Sequence, residues 1–400
     1  MRLVFVDLYS NSFIMRNAMQ LLTGKRAITK HEFLLEHLTK KNIEIVNFVT
    51  GYGSTIPGRL IPKGNRHIFL HKLESKFAIK NSKFSNCSIS TISDASDLRD
   101  DDILVFYVHF AERYLHMPCI RKGIKIVDLL HFYGESIEAD FIRKQNAEYF
   151  LSEVNLSKFC KMYNKHYQWM KNPIIISPFS FQPRFKIKTP FNTRKNRVVA
   201  MGTLTYCDSK EFMECYGSNV YQPHRKMIYD NVEKLAPWMD SYIEEYKEQS
   251  EKNISSDDNF IVRIWKKLCN LYNVGRQNRY FSFDMVEKYN EYKMFICPED
   301  VNGSYGIGSI EGMACGCAMI GINIGIYEDI GLKAGVHYIP YDGTLENLIE
   351  TMKYYQLPEQ ADALEQIALR GCNYVREHFS QERVADMYYE NMKKIFASNK

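Results

Sequence analysis

Three glycines and a serine precede a short helix-forming run in Lys293–Ile322, which we call the glycine-rich segment. The glycines are Gly303, Gly306 and Gly308, and Ser309 is predicted to cap the helix that follows. Glycine lets the backbone approach a ligand closely, and a helix N-terminus presents free N–H groups with a partial positive charge. The segment therefore predicts a site for nucleotide phosphates. The alternative is a tight turn without a ligand, because glycine-rich loops are weak signals.

A carboxylate and two apolar runs complete the glycine-rich segment. Glu311 lies one turn into the predicted helix, where its carboxylate is placed to accept hydrogen bonds from a pair of ribose hydroxyls. Met294–Cys297 and Cys317–Ile322 are compact apolar runs, which indicate buried parallel strands on either side. The loop therefore lies at the carboxyl end of a strand, where open α/β sheets bind ligands.

Two cations follow another predicted strand, Val198–Met201. Gly202 and Thr203 begin the loop after this strand, and Arg225 and Lys226 form the nearest basic cluster beyond it. Cations beside a diphosphate stabilise the charge that develops as the leaving group departs. Arg225 and Lys226 are therefore candidates for that task, with ordinary surface charge on a helix as the alternative.

The first half of the chain places titratable groups at the ends of two apolar runs. His109 lies near the end of Ile103–Phe110, and His131 and Glu135 follow Ile124–Leu130. Because ligands bind beyond the carboxyl ends of strands, these three residues are candidate catalytic groups. A structural histidine at a strand end is the alternative for each of the two histidines.

Composition sets broad limits on the class of protein. The chain has 400 residues, enough for two domains, and its 45% hydrophobic and 25% charged content is ordinary for a globular protein. The net charge of +5 is dispersed, which gives little support to nucleic-acid binding but suits anionic substrates or an anionic membrane surface. The cysteines and histidines show no zinc-like spacing, so no metal site is predicted.

The order of apolar runs predicts an α/β fold. A strand at Leu3–Leu8, a helix near residues 29–40 and a strand at Ile43–Val49 form the opening of a doubly wound domain. Ile68–Leu70 is predicted as a further short strand, and Lys186–Arg197 as a linker between two domains. With no leader sequence and no apolar run near the ~20 residues that span a bilayer, we expect a cytoplasmic protein.

The glycine-rich segment resembles the donor-binding segment of retaining GT-B glycosyltransferases of the family-4 type. In that family a strand ending in proline leads to a loop reading roughly E-G-F-G, and a helix with E-A-M-A-C-G follows. Ser304, Tyr305 and Gly306 stand for the G-F-G part, and Glu311–Gly316 matches the helix. The first glutamate of the family's pair falls on Gly303, so that carboxylate is missing. The neighbours considered as replacements are Glu299, Asp300 and Asn302.

The resemblance implies an α/β fold of the GT-B type, with two Rossmann-like doubly wound domains facing a cleft and a C-terminal helix crossing back to the first domain. It divides the chain into an acceptor-side domain (1–185), a nucleotide-sugar domain (186–380) and the terminal helix (381–400). It also implies which residues meet the donor: Gly202, Thr203, Gly303, Ser304, Tyr305, Gly306, Ser309 and Glu311. His131 first, and His109 second, would reach the donor sugar or the acceptor hydroxyl, and Gly24, Lys25 and Arg26 would face the acceptor.

The function implied is sugar transfer from a nucleotide sugar, itself the substrate, to a glycan or lipid-linked acceptor. The resemblance implies retention of anomeric configuration, no metal ion or separate cofactor, a place in bacterial surface polysaccharide or lipopolysaccharide assembly, and possible contact with the inner face of the membrane. The missing carboxylate favours an unusual donor, such as an acidic sugar carried on CMP, or another group in its place. The alternatives are a non-catalytic GT-B scaffold in a glycan-assembly complex and a nucleotide-sugar epimerase.

Overall fold

The structure is a computed structural model that describes residues 1–23, 30–107, 112–130, 136–245 and 283–399. The chain divides into two compact units, which we call the N-terminal unit (Met1–Pro178 with Gln381–Lys400) and the C-terminal unit (Phe179–Ser380). No helix within the described ranges is both long enough and apolar enough to cross a bilayer.

One parallel sheet runs through the N-terminal unit. In chain order its strands are β1 Arg2–Val6, β2 Glu44–Phe48, β3 Ile89–Ile92, β4 Ile103–Tyr107, β5 Ile124–Asp128, β6 Tyr149–Ser152 and β7 Ile175–Ile176. Their spatial order is β3-β2-β1-β4-β5-β6-β7, and every pairing is parallel. All residues of β1, β4 and β5 are buried, as expected of apolar strands that are covered on both faces.

Six helices of the N-terminal unit precede its linker to the C-terminal unit in the described ranges. They are α1 Ala18–Thr23, α2 Glu32–Leu38, α3 Ile68–Lys80, α4 Ser136–Lys144, α5 Leu156–Phe159 and α6 Lys161–His166. The strand predicted at Ile68–Leu70 is wrong, because these residues form the first turn of α3. A three-residue apolar run has no periodicity with which to distinguish a strand from a helical turn.

The C-terminal unit is built on a second parallel sheet. Its strands are β8 Lys195–Leu204, β9 Met239–Glu245, β10 Tyr292–Ile296, β11 Ala318–Ile322 and β12 Ile339–Tyr341. Their spatial order is β12-β11-β10-β8-β9, so the chain leaves β8 on one side for β9 and then returns on the other side as β10. The carboxyl ends of β8 and β10 therefore border the topological switch point, the place where ligands bind in open α/β sheets.

The helices of the C-terminal unit cover this second sheet. They are α7 Lys210–Tyr216, α8 Pro223–Asp230, α9 Val232–Leu235, α10 Met285–Glu291, α11 Ile307–Ala314, α12 Leu345–Tyr355 and α13 Ala361–His378. Helix α11 lies directly on β10 because Gly312 faces the ring of Phe295, where an added Cβ would stand 2.5 Å from the ring atom Cζ. This close packing fixes the start of α11 above the carboxyl end of β10.

The last helix, α14 Gln381–Ser398, belongs to the N-terminal unit although it follows the C-terminal unit in the chain. It packs on α2, where Asp386 accepts hydrogen bonds from His37 Nε2 at 2.8 Å and from Lys41 Nζ at 3.0 Å. The predicted fold class, with two doubly wound parallel sheets and a terminal helix that returns to the first of them, is confirmed.

Candidate functional site

Arg225 marks the switch point of the C-terminal unit. Its Nη1 donates to the carbonyl oxygen of Thr203 at 2.6 Å, and its Nη2 donates to that of Pro298 at 3.3 Å. Thr203 lies at the carboxyl end of β8 and Pro298 just beyond the end of β10, so one guanidinium joins the two strand ends. A permanent positive charge is therefore held at the place where the fold is expected to bind a ligand.

Gly202 provides the space that the Arg225 guanidinium occupies. Its φ of 144° is a backbone conformation that other residues rarely adopt, and an added Cβ would stand 2.8 Å from Arg225 Cζ. The sequence predicted a loop from Gly202 onward, but β8 continues to Leu204, paired with β9 as far as Glu245. That prediction is wrong because the pairing with β9, a strand distant in sequence, extends β8 past the glycine.

Gln222, which the sequence analysis missed, fixes the start of the helix that carries Arg225. Its Oε1 accepts hydrogen bonds from the Thr205 backbone N at 3.1 Å and from Thr205 Oγ1 at 3.0 Å. Pro223 follows as the first residue of α8, a position that needs no backbone N–H. A glutamine directly before a helix-starting proline is the only local signal for this arrangement.

Lys226, the second predicted cation, lies in a different environment from Arg225. Its Nζ pairs with Asp230 at 2.6 Å, one turn along the same helix, and both side chains are partly exposed. The structure thus places Lys226 in an (i, i+4) ion pair on the surface of α8.

Glu299 lies in the loop after β10 with its carboxylate buried. Its Oε1 accepts hydrogen bonds from the backbone N of Ile322 at 3.1 Å and from the hydroxyl of Tyr327. Burial raises the pKa of this carboxyl above its usual value. The Glu299 carboxylate therefore joins the carboxyl ends of β10 and β11 and helps to shape the loop.

The predicted phosphate loop is a compact turn. Gly303 N donates to Asp300 O at 2.9 Å, Asp300 N donates to Ser304 O at 2.8 Å, and Gly303 has a φ of 78°. Tyr305 is 2% exposed, and its ring lies edge to face with that of Phe179 at 5.6 Å. The side chain of Tyr305 is therefore part of the core, which leaves its backbone as the part that can face a ligand.

Helix α11 begins without a side-chain cap. Its N-cap is Gly306, and the Ser309 backbone N donates to Gly306 O at 2.9 Å. The predicted cap at Ser309 is wrong, because the helix begins two residues before it. The Ser309 hydroxyl is instead buried. The first amides of α11 thus have no side-chain acceptor, which suits an anion.

Two further side chains of this region have restricted access to solvent, Glu311 being buried and Cys297 half-buried. Glu311 lies in the middle of α11 and is 8% exposed. Burial raises the pKa of the Cys297 thiol, at the end of β10, to about 11, although the nearby Arg225 charge opposes the shift. A raised pKa disfavours the thiolate that nucleophilic attack by cysteine requires.

The acceptor-side candidates of the sequence analysis, His109, His131 and Glu135, lie outside the described residues, as does the segment 24–26. They stay predictions. The described residues show instead that two aspartates occupy strand ends of the N-terminal sheet. One aspartate directly follows an apolar run of the sequence and the other is the last residue of such a run. This position is a signal that could have identified both.

Asp7 follows β1, and Asp128 is the last residue of β5. Asp7 accepts hydrogen bonds from the backbone N of Thr50 at 2.9 Å and from its hydroxyl, and burial raises its pKa to about 6. Burial raises the pKa of Asp128 to about 7, and its Oδ2 lies 3.6 Å from Nδ1 of His31. Burial also lowers the pKa of His31 to about 3, so both members of this pair are uncharged between about pH 3 and pH 7.

Replacing Asp128 with asparagine is expected to remove a negative component from the slope of the unfolding free energy against pH between about pH 4 and 7. Asp128 ionises near pH 3.8 when unfolded and near 7 when folded, so its stabilising contribution is complete below 3.8 and is lost as the pH rises through 7. The free energy of unfolding of the wild type should therefore fall by about 1.4 kcal/mol per pH unit between pH 3.8 and 7 from this group, and this fall should end above pH 7. Urea unfolding at a series of pH values measures this slope.

The exposed Asp101 provides a matched control for the Asp128 variant. Asp101→Asn should leave the pH slope as it is in the wild type, because this side chain is exposed to solvent. An Asp128→Asn protein with an unchanged slope between pH 4 and 7 would show that Asp128 is already ionised in the folded protein over that range.

A cavity of about 610 Å³ lies in the N-terminal unit near the carboxyl ends of β2 and β3. Its lining includes Phe48, Thr50, Ile68, Met117, Ile120 and Lys122. Apolar walls with a few polar groups at this volume are typical of small-molecule sites. The N-terminal unit therefore carries a candidate binding cavity of its own.

Comparison with known proteins supports the fold. No protein-family model and no curated protein sequence matches the chain. Solved structures do: sucrose-phosphate synthase from Thermosynechococcus elongatus is similar with a TM-score of 0.50 and 10% identity, over 100% of both chains. HepE of Anabaena in complex with UDP-glucose is similar with a TM-score of 0.51 and 9% identity, over 98% of this chain and 100% of HepE. The chain has the GT-B fold.

The similarity to HepE extends to a second complex, the one with UDP and glucose, at a TM-score of 0.51 and 10% identity. At such low identity the GT-B fold is what these structures share with the chain.

Proposed function

We propose that this protein is a glycosyltransferase that moves a sugar from a nucleotide sugar to a glycan or lipid-linked acceptor. The observation that carries the proposal is the Arg225 guanidinium, which joins the ends of β8 and β10 at the switch point. The uncapped start of α11 follows the loop after β10 and adds backbone N–H groups. A guanidinium and a helix N-terminus together suit the diphosphate of a nucleotide sugar.

In this proposal the C-terminal unit binds the donor and stabilises its leaving group. As the bond between the sugar and the diphosphate breaks, negative charge grows on the phosphate oxygens, and Arg225 is already positioned to meet it. The amides at the start of α11 serve the same purpose. Glu311, further along α11, is the proposed partner of the ribose hydroxyls. Gly202, Thr203 and the turn 303–306 provide backbone beside the phosphates and the sugar.

Gly303 occupies the position at which the family-4 pattern has its first glutamate. Its φ of 78° favours glycine, so a glutamate at this position would be strained. Glu299 does not replace it, because its carboxylate is directed at Ile322 N and Tyr327. Asp300, half-buried in the same turn, is the proposed carboxylate nearest to the donor sugar. A donor with an acidic sugar, such as a CMP-linked one, would need no such carboxylate.

The acceptor is proposed to bind the N-terminal unit, which has its own cavity of about 610 Å³. His131, His109 and Glu135 keep their proposed place near the reacting sugar and the acceptor hydroxyl. Retention of anomeric configuration, transfer without a metal ion and a cytoplasmic place in bacterial surface polysaccharide assembly are proposed from the resemblance to the family-4 type. HepE, whose structures hold UDP-glucose or UDP and glucose, is consistent with a nucleotide-sugar donor.

Glu311→Ala is expected to weaken nucleotide-sugar binding by about ten- to a hundredfold, the value of a lost hydrogen bond to a charged group. The wild type is first screened by thermal shift against UDP-, GDP- and CMP-sugars. The dissociation constant of the best donor is then measured by calorimetry for both proteins. A shift with a CMP-linked acidic sugar alone would favour the unusual donor, and a shift with a UDP-hexose alone would exclude it.

Glu350→Ala is the matched control, since Glu350 is an exposed helical glutamate of the same unit. It should bind the donor as the wild type does. Unfolding of both variants without ligand separates a lost contact from a damaged fold. Undiminished sugar transfer by Glu311→Ala would show that the assignment of the ribose site is wrong. Donor binding without transfer to any acceptor would favour a scaffold, and sugar interconversion without an acceptor would favour an epimerase.

A further inference from the structure

Helix α3 of the N-terminal unit exposes its large apolar side chains. Phe69, Leu73 and Phe77 recur every four residues and therefore form one stripe along the helix. Their side chains are 67%, 49% and 39% exposed. Single exposed apolar residues are common on protein surfaces, but three in register on one helix form a contiguous apolar surface.

The opposite side of α3 buries the polar side chains of His71, Glu74 and Ser75 together with Ala78, so polar groups face the interior while the apolar stripe faces outward. Glu74 accepts hydrogen bonds from Thr55 N at 3.0 Å and from Ser54 Oγ at 2.6 Å. His71 Nδ1 lies 3.2 Å from the hydroxyl of Tyr9. Turning the helix to bury its phenylalanines would break these buried hydrogen bonds, so the polar contacts hold the apolar stripe outward.

Basic residues surround the apolar stripe. Residues 57–80 contain six lysines and arginines and one acidic residue, a net charge of +5 that equals the net charge of the whole chain. The acidic residue is Glu74, which is buried. The six cations are exposed, and none forms an ion pair in the described part of the chain: Arg59, Lys63, Arg66, Lys72, Lys76 and Lys80.

We propose that α3 docks the N-terminal unit on the surface of an anionic lipid bilayer. The apolar stripe would enter the boundary between headgroups and acyl chains, and the flanking lysines would pair with lipid phosphates. Lys72, Lys76 and Lys80 lie beside the stripe at helical spacing. Protein interfaces are depleted in lysine at their centres, so this composition favours lipid over a protein partner.

The docking helix borders the cavity of the N-terminal unit. Asn65, three residues before α3, and Ile68, its first residue, line that cavity together with Thr50. Docking would therefore bring the cavity close to the lipid headgroups. If the proposed function holds, this position suits an acceptor that is itself carried on a lipid, whereas the docking of α3 is independent of that function.

Vesicle sedimentation with the full-length protein tests the proposal. We expect at least about tenfold tighter binding to vesicles of phosphatidylcholine mixed with phosphatidylglycerol than to vesicles of phosphatidylcholine alone. High salt should weaken this binding, because salt screens the lysine–phosphate attraction. Wild-type protein that stays in the supernatant with anionic vesicles at low salt would overturn the proposal.

Two sets of variants assign the binding to α3. The apolar triple variant combines Phe69→Gln, Leu73→Gln and Phe77→Gln. The lysine triple variant combines Lys72→Gln, Lys76→Gln and Lys80→Gln. Each should weaken vesicle binding by about tenfold or more. The control set Tyr354→Gln, Leu357→Gln and Leu369→Gln removes exposed apolar side chains from the C-terminal unit and should bind as the wild type does.

Light scattering after size-exclusion chromatography tests whether α3 is instead an interface between copies of the chain. If the apolar triple variant abolishes self-association of the wild type and leaves vesicle binding unchanged, α3 is an interface between copies of the chain, and the lipid proposal is overturned. An equal loss of vesicle binding in the control set would overturn it as well. Because vesicle binding is measured without any donor sugar, its failure is distinguishable from failure of the proposed sugar transfer.

Discussion

Replacing Arg225 with glutamine is expected to reduce kcat for sugar transfer by about a hundred- to a thousandfold, the usual effect of removing one preorganised donor from a developing charge. The wild-type guanidinium is held by the carbonyl oxygens of Thr203 and Pro298, so it needs no rearrangement when the diphosphate departs. Glutamine removes the positive charge and cannot reach both strand ends. Steady-state release of the nucleotide from the best donor measures the effect.

Two comparisons make this result specific. Arg225→Lys keeps the charge but not the planar fork, so an intermediate loss of kcat is expected. Arg370→Gln removes an exposed arginine from α13 and should leave kcat unchanged. Full activity in Arg225→Gln would contradict the assignment of the leaving-group site to the switch point of the C-terminal unit.

Gly202→Ala should reproduce much of the Arg225 defect without touching the arginine. The new Cβ would stand 2.8 Å from both Cζ and Nε of Arg225, so the guanidinium must leave its two carbonyl partners. The φ of 144° adds backbone strain, and we expect a loss of about 1–3 kcal/mol in the free energy of unfolding. Urea unfolding and nucleotide release, measured on the same protein, report the two effects separately.

Gly217→Ala separates strain from displacement of the arginine. Gly217 also has a positive φ, 72°, but no atom lies within 4 Å of the position of its added Cβ. It should therefore lose stability from backbone strain while keeping its kcat. If Gly202→Ala were destabilised but fully active, the position of Arg225 beside Gly202 would be unimportant for catalysis.

The glycine-rich segment shows how far local sequence determines this fold. Its apolar runs predicted β10 and β11, and Glu311 was placed correctly on the helix between them. The start of that helix was misplaced, because a serine three residues into a helix and a serine at its cap give similar local patterns. The actual start of the helix is marked by the hydrogen bond from Ser309 N to Gly306 O, whose acceptor lies in the turn before the helix.

Longer-range contacts account for the other errors. Gly202 was predicted to begin a loop, yet pairing with β9 carries β8 to Leu204, three residues past the predicted end at Met201. The sequence treated Arg225 and Lys226 alike because they are neighbours in the chain. On a helix, neighbours point about 100° apart, so one faces the strand ends while the other pairs with Asp230.

The spacing of apolar residues in the sequence could not have predicted which face of α3 is exposed. Its apolar residues have helical spacing, which normally indicates a face directed at the core. The buried face is instead chosen by His71 and Glu74, whose partners Tyr9, Ser54 and Thr55 are distant in sequence. Only the assembled unit shows which face of this helix remains outside.

A crystal structure of the full-length protein with a bound nucleoside diphosphate tests the central claim most directly. The account predicts that the phosphates lie between the Arg225 guanidinium and the first amides of α11, with the ribose hydroxyls at Glu311. A nucleotide bound elsewhere on the chain, or phosphates out of reach of both Arg225 and α11, would contradict the proposed donor site.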